Sequence, residues 1–163
     1  MDVLPPHSLK IVLVEPEIPQ NMGNVARLCA ATGAQLHLVR PLGFFLSDKH
    51  FKRAGMDYVS RIAMTVHEDL PSVFRAMGEQ SFLLTTGLDL PKAKAHWSAA
   101  VTRDTWLFFG KESAGLPSSL LEAHPDRMIR IPMAAEERGL NLATAAGIVL
   151  YDALRHLAQP GGR

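Results

Sequence analysis

Three stretches of this chain place polar and charged side chains where they could grip an anion or orient a reacting group. The first runs Glu15-Pro-Glu-Ile-Pro-Gln-Asn-Met-Gly-Asn-Val-Ala-Arg27, a strand exit with two prolines that leads into a helix. Asn21, Asn24 and Arg27 recur every third residue, near one edge of the first helical turns. Free N–H groups and a guanidinium fork could together hold a phosphate there. The same residues also fit an N-cap at Asn21 followed by two solvated side chains. The second stretch, Phe108-Phe-Gly-Lys-Glu-Ser-Ala-Gly-Leu-Pro117, follows an apolar run, and Gly110 and Gly115 bracket Glu112. Ligands in open α/β sheets collect beyond the carboxyl ends of strands, and glycine lets the backbone approach them. A tight turn before a short helix accounts for the same residues. The third stretch starts at Ile129-Arg-Ile-Pro-Met133, passes Glu136 and Glu137, and reaches Arg138-Gly-Leu-Asn-Leu142. Here Asn141 reads as the cap of a long helix.

Other chemistries find no support in the sequence. No two glycines stand two residues apart, which removes the GxGxxG dinucleotide fingerprint. Gly110-Lys111 lacks the remaining residues of a P-loop, and neither GxSxG nor HExxH occurs. The seven histidines are scattered and the single cysteine, Cys29, has no partner for a disulfide or zinc site. No metal is therefore expected, and the lone thiol favours a reducing, cytoplasmic setting. The longest mostly apolar stretch, Leu142 to Tyr151, is too short to cross a bilayer, and Met1 to Ser8 lacks the pattern of a secretory signal. With 17 Lys and Arg against 16 Asp and Glu, any grip on nucleic acid must come from a local patch.

The elements that would position these loops follow from periodicity. Strands are expected at 9–14, 35–39, 81–85, 105–109 and 128–131, with a weaker candidate at 58–65. Helices are expected at 21–31, closed by Gly33 at C′, at 70–77 and 118–123, and from about 141 to 157. Strand and helix alternate, which implies an α/β fold with a largely parallel sheet flanked by helices. A length of 163 residues suits a single domain, with 1–8 and 159–163 expected to fray. Small residues Ala143, Ala145, Ala146 and Gly147 make the last helix a packing helix, in the core or against another chain.

Taken together, Asn-x-Gly-Asn-x-x-Arg at 21–27, Phe-Gly-x-Glu-x-x-Gly-Leu-Pro at 109–117, and Ile-Pro-Met followed by Leu-Asn-Leu at 131–142 resemble the three signature motifs of the SPOUT superfamily of RNA methyltransferases. The order and spacing match, and the resemblance spans nearly the whole chain. Within the superfamily, the opening Glu-Pro-Glu-Ile-Pro-Gln-Asn and Arg-Ala-Gly-x-Asp-Tyr at 53–58 are similar to the tRNA (cytidine(34)-2'-O)-methyltransferases. The resemblance implies a C-terminal trefoil knot, an exception to the rule that chains do not knot. It implies S-adenosylmethionine bound against Leu84, Thr85, Gly110, Glu112, Ile131, Gly139 and Leu140. It also implies a homodimer that shares a tRNA site across its interface, with Tyr151 of the last helix at that contact and beside the RNA.

For the reaction, the resemblance places Arg27 near the target ribose, with Asn21 and Asn141 as polar partners. A guanidinium offers N–H donors in a fixed fork and no acceptor, so Arg27 is read as holding a phosphate and aligning the 2′-oxygen rather than as a free base. Lys49, Lys52 and Arg53, interleaved with Phe51, form a local basic cluster for RNA; a solvated helix face with Phe51 in the core fits them equally. Gly139 and Ala143 stand where family members commonly carry serine. The alternatives are a methyltransferase of the superfamily acting elsewhere, such as on ribosomal RNA, and a non-catalytic RNA-binding relative.

Overall fold

The computed structural model describes residues 3–47, 49, 57–134 and 139–161. Among the described residues, seven strands are interspersed with four α-helices. They are β1 (Lys10–Val14), α1 (Pro19–Thr32), β2 (Gln35–Val39), β3 (Met64–His67), α2 (Leu70–Met77), β4 (Phe82–Thr85), β5 (Lys94–Ala95), β6 (Trp106–Phe109), α3 (Ser118–Ala123), β7 (Met128–Arg130) and α4 (Leu142–Ala158). The strands form one sheet in the order β3-β2-β1-β6-β4-β7-β5. Every pairing is parallel.

A parallel sheet needs cover on both faces, so its strands read as continuous apolar runs. All five residues of β1 are buried. Ile11 and Leu13 pack with α1 and α4, among Val25, Cys29, Val149 and Leu150. Val12 and Val14 face the other way, onto Val73 and Met77 of α2 and Leu120 and Leu121 of α3. The chain leaving β1 therefore turns to one face, into α1, while the chain leaving its neighbour β6 turns to the other, into α3. Adjacent strands that diverge in this way open a crevice at their carboxyl ends.

Apart from the weaker candidate at 58–65, the expected strands and helices are present with shifts of one or two residues at their ends; two local expectations change and one strand is added. Asn21 is not the N-cap of α1: Ile18 is, with Pro19 opening the helix. Proline arrives with the φ that a first helical turn requires and has no N–H to satisfy there. Residues 57–61 form a short 3-10 helix, and the strand begins only at Met64. The two-residue β5 is too short to leave a periodic trace in sequence. Gly33 ends α1 in the left-handed region at φ 82°, its N–H donating to the Cys29 carbonyl over 2.8 Å. Asn141 caps α4 as expected, accepting from the N–H of Ala143 and Thr144.

Candidate active site

The crevice contains a cavity of about 480 Å³ walled by all three sequence-predicted loops together with the loop after β4. That size lies within the ~300–1,000 Å³ typical of small-molecule sites. Its shape depends on Gly110. A Cβ at this position would overlap the backbone of Gly115 and Leu116, because the chain folds back on itself here. The Gly115 N–H donates to the Lys111 carbonyl over 2.8 Å, and Gly115 takes φ 71°. Leu116, 5% exposed, anchors the end of the turn in the core beside α3.

Glu112 connects this turn to α1. One carboxylate oxygen accepts the Glu17 N–H at 2.8 Å; the other accepts the Ile18 N–H at 3.1 Å and the Asn21 side-chain amide at 3.1 Å. No local side chain caps α1, so a carboxylate about 95 positions away satisfies N–H groups at its entry, where an anion is also favoured by the helix dipole. Asn21, 6% exposed, passes the chain of bonds onward: its side-chain oxygen accepts from the Asn141 amide at 2.9 Å. Asn141 in turn accepts from the N–H groups of Ala143 and Thr144 at 2.9 and 3.3 Å. One polar line thus ties the three loops together: Glu112, Asn21, Asn141, then the first turn of α4.

A second set of contacts runs the opposite way. The Glu17 carboxylate accepts both the N–H and the hydroxyl of Ser113, each at 2.8 Å. These bonds hold the Glu17 carboxyl below the usual carboxylate range. Lys111 and Glu15 pair at 3.4 Å.

Of the residues expected at the cofactor, Thr85, Gly110, Glu112, Ile131, Gly139 and Leu140 line the cavity. Leu84 does not. It is fully buried on the α2/α3 face of the sheet, because successive strand residues point to opposite faces and only its neighbour Thr85 reaches the crevice. Asn21 and Asn141 line the cavity as well. Arg27 lies two turns further along α1, exposed and without a hydrogen-bond or ion-pair partner among the described residues. The expected common edge of Asn21, Asn24 and Arg27 twists, since three residues fall about 60° short of a full turn. Asn21 points inward, while Asn24 and Arg27 reach solvent. Lys49 and Tyr151 are exposed, Tyr151 by 50%. Lys52, Arg53 and Phe51 lie outside the described residues.

Sequence reasoning missed Thr86, Gly87 and Leu88, which form a wall after β4. Position was the available signal, since β4 lies beside β6 and its carboxyl end opens into the same crevice. The Thr85 hydroxyl oxygen is buried with no hydrogen-bond partner among the described residues. No cluster of three or more metal-ligating side chains occurs among the described residues. Nor is any helix there long and apolar enough to cross a membrane.

Comparison with known proteins agrees with this geometry. A sequence model of the SpoU rRNA methylase family matches residues 8–151. A tRNA (cytidine(34)-2'-O)-methyltransferase of Escherichia coli K12 is 44% identical over 154 residues, covering 94% of this chain and 96% of that protein. A solved structure described as giving insights into the 2-OH methylation of C/U34 on tRNA superposes with a TM-score of 0.84 at 40% identity, covering 93% of this chain and 97% of that one. An AdoMet-bound rRNA methyltransferase from Sinorhizobium meliloti superposes with a TM-score of 0.79 at 27% identity, over 96% of this chain and 60% of its own. With the three motif loops gathered around one cavity and near-complete coverage by these relatives, the chain belongs to the SpoU family of SPOUT methyltransferases.

Proposed function

We propose that this protein methylates the 2′-oxygen of the wobble nucleotide of tRNA, cytidine 34 or a modified uridine 34, using S-adenosylmethionine. The observation that carries the reading is the polar line from Glu112 through Asn21 to Asn141, which joins the three motif loops around one cavity. The 44% identity to a tRNA (cytidine(34)-2'-O)-methyltransferase supplies the nucleotide.

The cavity fits the cofactor. Its wall combines apolar side chains, Leu116, Ile131 and Leu142, with the unpartnered Thr85 hydroxyl and the open backbone of Gly87 and Gly139. When bound there, S-adenosylmethionine supplies an electrophilic sulfonium methyl. This chain supplies orientation. Arg27, exposed and unpartnered among the described residues, holds a phosphate next to the target ribose and favours the ionising 2′-hydroxyl. Alignment of this kind contributes roughly 7–11 kcal/mol in favourable intramolecular cases. Asn21 and Asn141 keep the helix ends that flank the ribose in fixed register. Both Glu112 oxygens are occupied by N–H donors, so its part is to shape the cofactor loop.

The working unit in this reading is a cytoplasmic homodimer packed through α4, with Tyr151 near the shared RNA site and Lys49, Lys52 and Arg53 on the phosphate backbone. The C-terminal loops thread the trefoil knot of the superfamily.

The test is transfer of radiolabelled methyl from S-adenosylmethionine to unmodified and native tRNA pools, with the labelled nucleotide identified after digestion. Label in a 2′-O-methylated wobble nucleotide is the expected result. Label only in ribosomal RNA would move the assignment to another RNA position. Cofactor binding without transfer to any RNA would leave a non-catalytic relative.

A further inference from the structure

Glu17 stands apart from the other polar residues of the first loop. It does not line the cavity, yet its carboxylate reaches across to Ser113, which does. Glu112 makes the reverse contact, from the cavity loop to the backbone of Glu17 and Ile18. Two carboxylates on different loops therefore each bind the other loop's main chain. Four hydrogen bonds of 2.8–3.1 Å cross the gap between residues 17–18 and 112–113. The Lys111 and Glu15 ion pair adds a fifth polar contact. Behind Glu17 the loop has little freedom to shift. The Gly43 N–H donates to the Pro16 carbonyl at 2.9 Å, and a Cβ on Gly43 would approach the Glu17 backbone to 2.7 Å.

Glu17 immediately precedes the cap of α1, and α1 carries Asn21 and Arg27 as one rigid body. Resting on the methyl-transfer reading, we infer that the Glu17 and Ser113 clasp sets the position of α1, and with it Arg27, against the cofactor loop. Glu17 is then a positioning residue that acts through α1 rather than on substrate. A displacement near 1 Å at a reacting centre can cost about 10²-fold in rate, so a clasp this close to both loops bears on turnover more than on binding.

The chemistry of the clasp provides its own control. In Glu17→Gln the amide oxygen still accepts the Ser113 N–H, and the new NH₂ donates to the Ser113 hydroxyl, which accepts as readily as it donates. In Glu17→Ala both bonds are lost. The experiment measures kcat, KM for tRNA and the S-adenosylmethionine dissociation constant for the wild type, Glu17→Ala, Glu17→Gln, and Glu17→Gln combined with Ser113→Ala, alongside thermal unfolding. The expected pattern is a 10- to 100-fold fall in kcat for Glu17→Ala, with cofactor affinity and KM within threefold of wild type. Glu17→Gln recovers to within threefold, and adding Ser113→Ala lowers kcat again by about 3- to 10-fold, because the hydroxyl bond is lost while the main-chain N–H of residue 113 keeps its acceptor. If Glu17→Ala fails to fold, the last two variants carry the comparison by themselves. Wild-type kcat in Glu17→Ala, equal damage in Glu17→Ala and Glu17→Gln, or retained recovery in the double variant overturns the inference. A wild type that methylates no tRNA overturns the underlying reading instead.

Discussion

Replacing Gly110 by alanine tests the architecture of the cavity with a single methyl group. Its Cβ would sit well inside contact distance of three backbone atoms, the carbon and oxygen of Gly115 and the nitrogen of Leu116. Unstrained carbon contacts lie near ~3.5–4.0 Å, so the returning side of the turn must retreat by roughly 1.5–2 Å. No flexible side-chain end is available to yield, since every atom met is backbone. The retreat breaks the 2.8 Å bond from the Gly115 N–H to the Lys111 carbonyl and pulls on Leu116, which is seated in the core. Overpacking of this kind costs about 1–3 kcal/mol, and the lost hydrogen bond adds about 1 kcal/mol. The sum, about 2–4 kcal/mol, should appear mainly in cofactor affinity, because the displaced atoms wall the cavity. At ~1.4 kcal/mol per decade this is about 30-fold to 1,000-fold weaker binding. Isothermal titration calorimetry with S-adenosylmethionine measures it directly, with thermal unfolding recorded alongside. Gly110→Ala with affinity within threefold of wild type and an unchanged melting temperature would refute the steric argument.

Three further outcomes are expected. Arg27→Ala should abolish methyl transfer while cofactor affinity stays within threefold, because Arg27 lies outside the cavity; substantial residual transfer in the radiolabel assay removes it from the reaction. The buried pair of His37 and His67, with Nδ1 and Nε2 2.9 Å apart, should make stability fall on acidification. Burial first, then His67 and Lys10, pushes His37 down to about 4. Between the unfolded value near ~6.5 and that folded value the unfolded chain binds more protons, so stability is lost as pH falls, by roughly 2 kcal/mol after allowing for solvent screening. Urea midpoints from pH 7 to 4.5 should show the slope, and His37→Asn should flatten it. Gly147→Ala in α4, one turn from Tyr151 on the same face, would gain about 0.5–1 kcal/mol in an isolated chain, since the added methyl meets nothing within 4 Å and helical glycine is entropically costly; with a second copy packed there it should lose stability instead. A destabilised variant would mean that something packs against that face of α4.

The Asn21 reading shows how far local sequence reaches. Its polarity and place before an apolar period point to a helix start, and a helix does start there. What sequence could not show is that Pro19 opens the helix and that its entry N–H groups are satisfied by Glu112, about 95 positions away. A local pattern assigns a capping role to the nearest suitable side chain, whereas the fold can deliver a better acceptor from a distant loop. Leu84 and Thr85 illustrate the same limit on a smaller scale. Both belong to an apolar run buried on two faces, so no alternation in sequence says which one meets the crevice. Arg27 fits the signature spacing, yet three-residue steps drift around a helix and leave it about 120° from Asn21.

The sequence by itself determined the elements and the chemistry they carry. Alternating apolar runs and helical periods required a parallel α/β sheet, and the motif order assigned the chain to its superfamily, because both depend on residues close together along the chain. The tertiary structure decided which strands are neighbours, and hence that the loops after β1, β4 and β6 and the entry to α4 enclose one cavity. It alone crossed the carboxylates of Glu17 and Glu112 between loops and buried Asn21 between Glu112 and Asn141. Those contacts depend on strand order and on which face each helix covers, quantities set by packing of the whole core and written in no local stretch of residues.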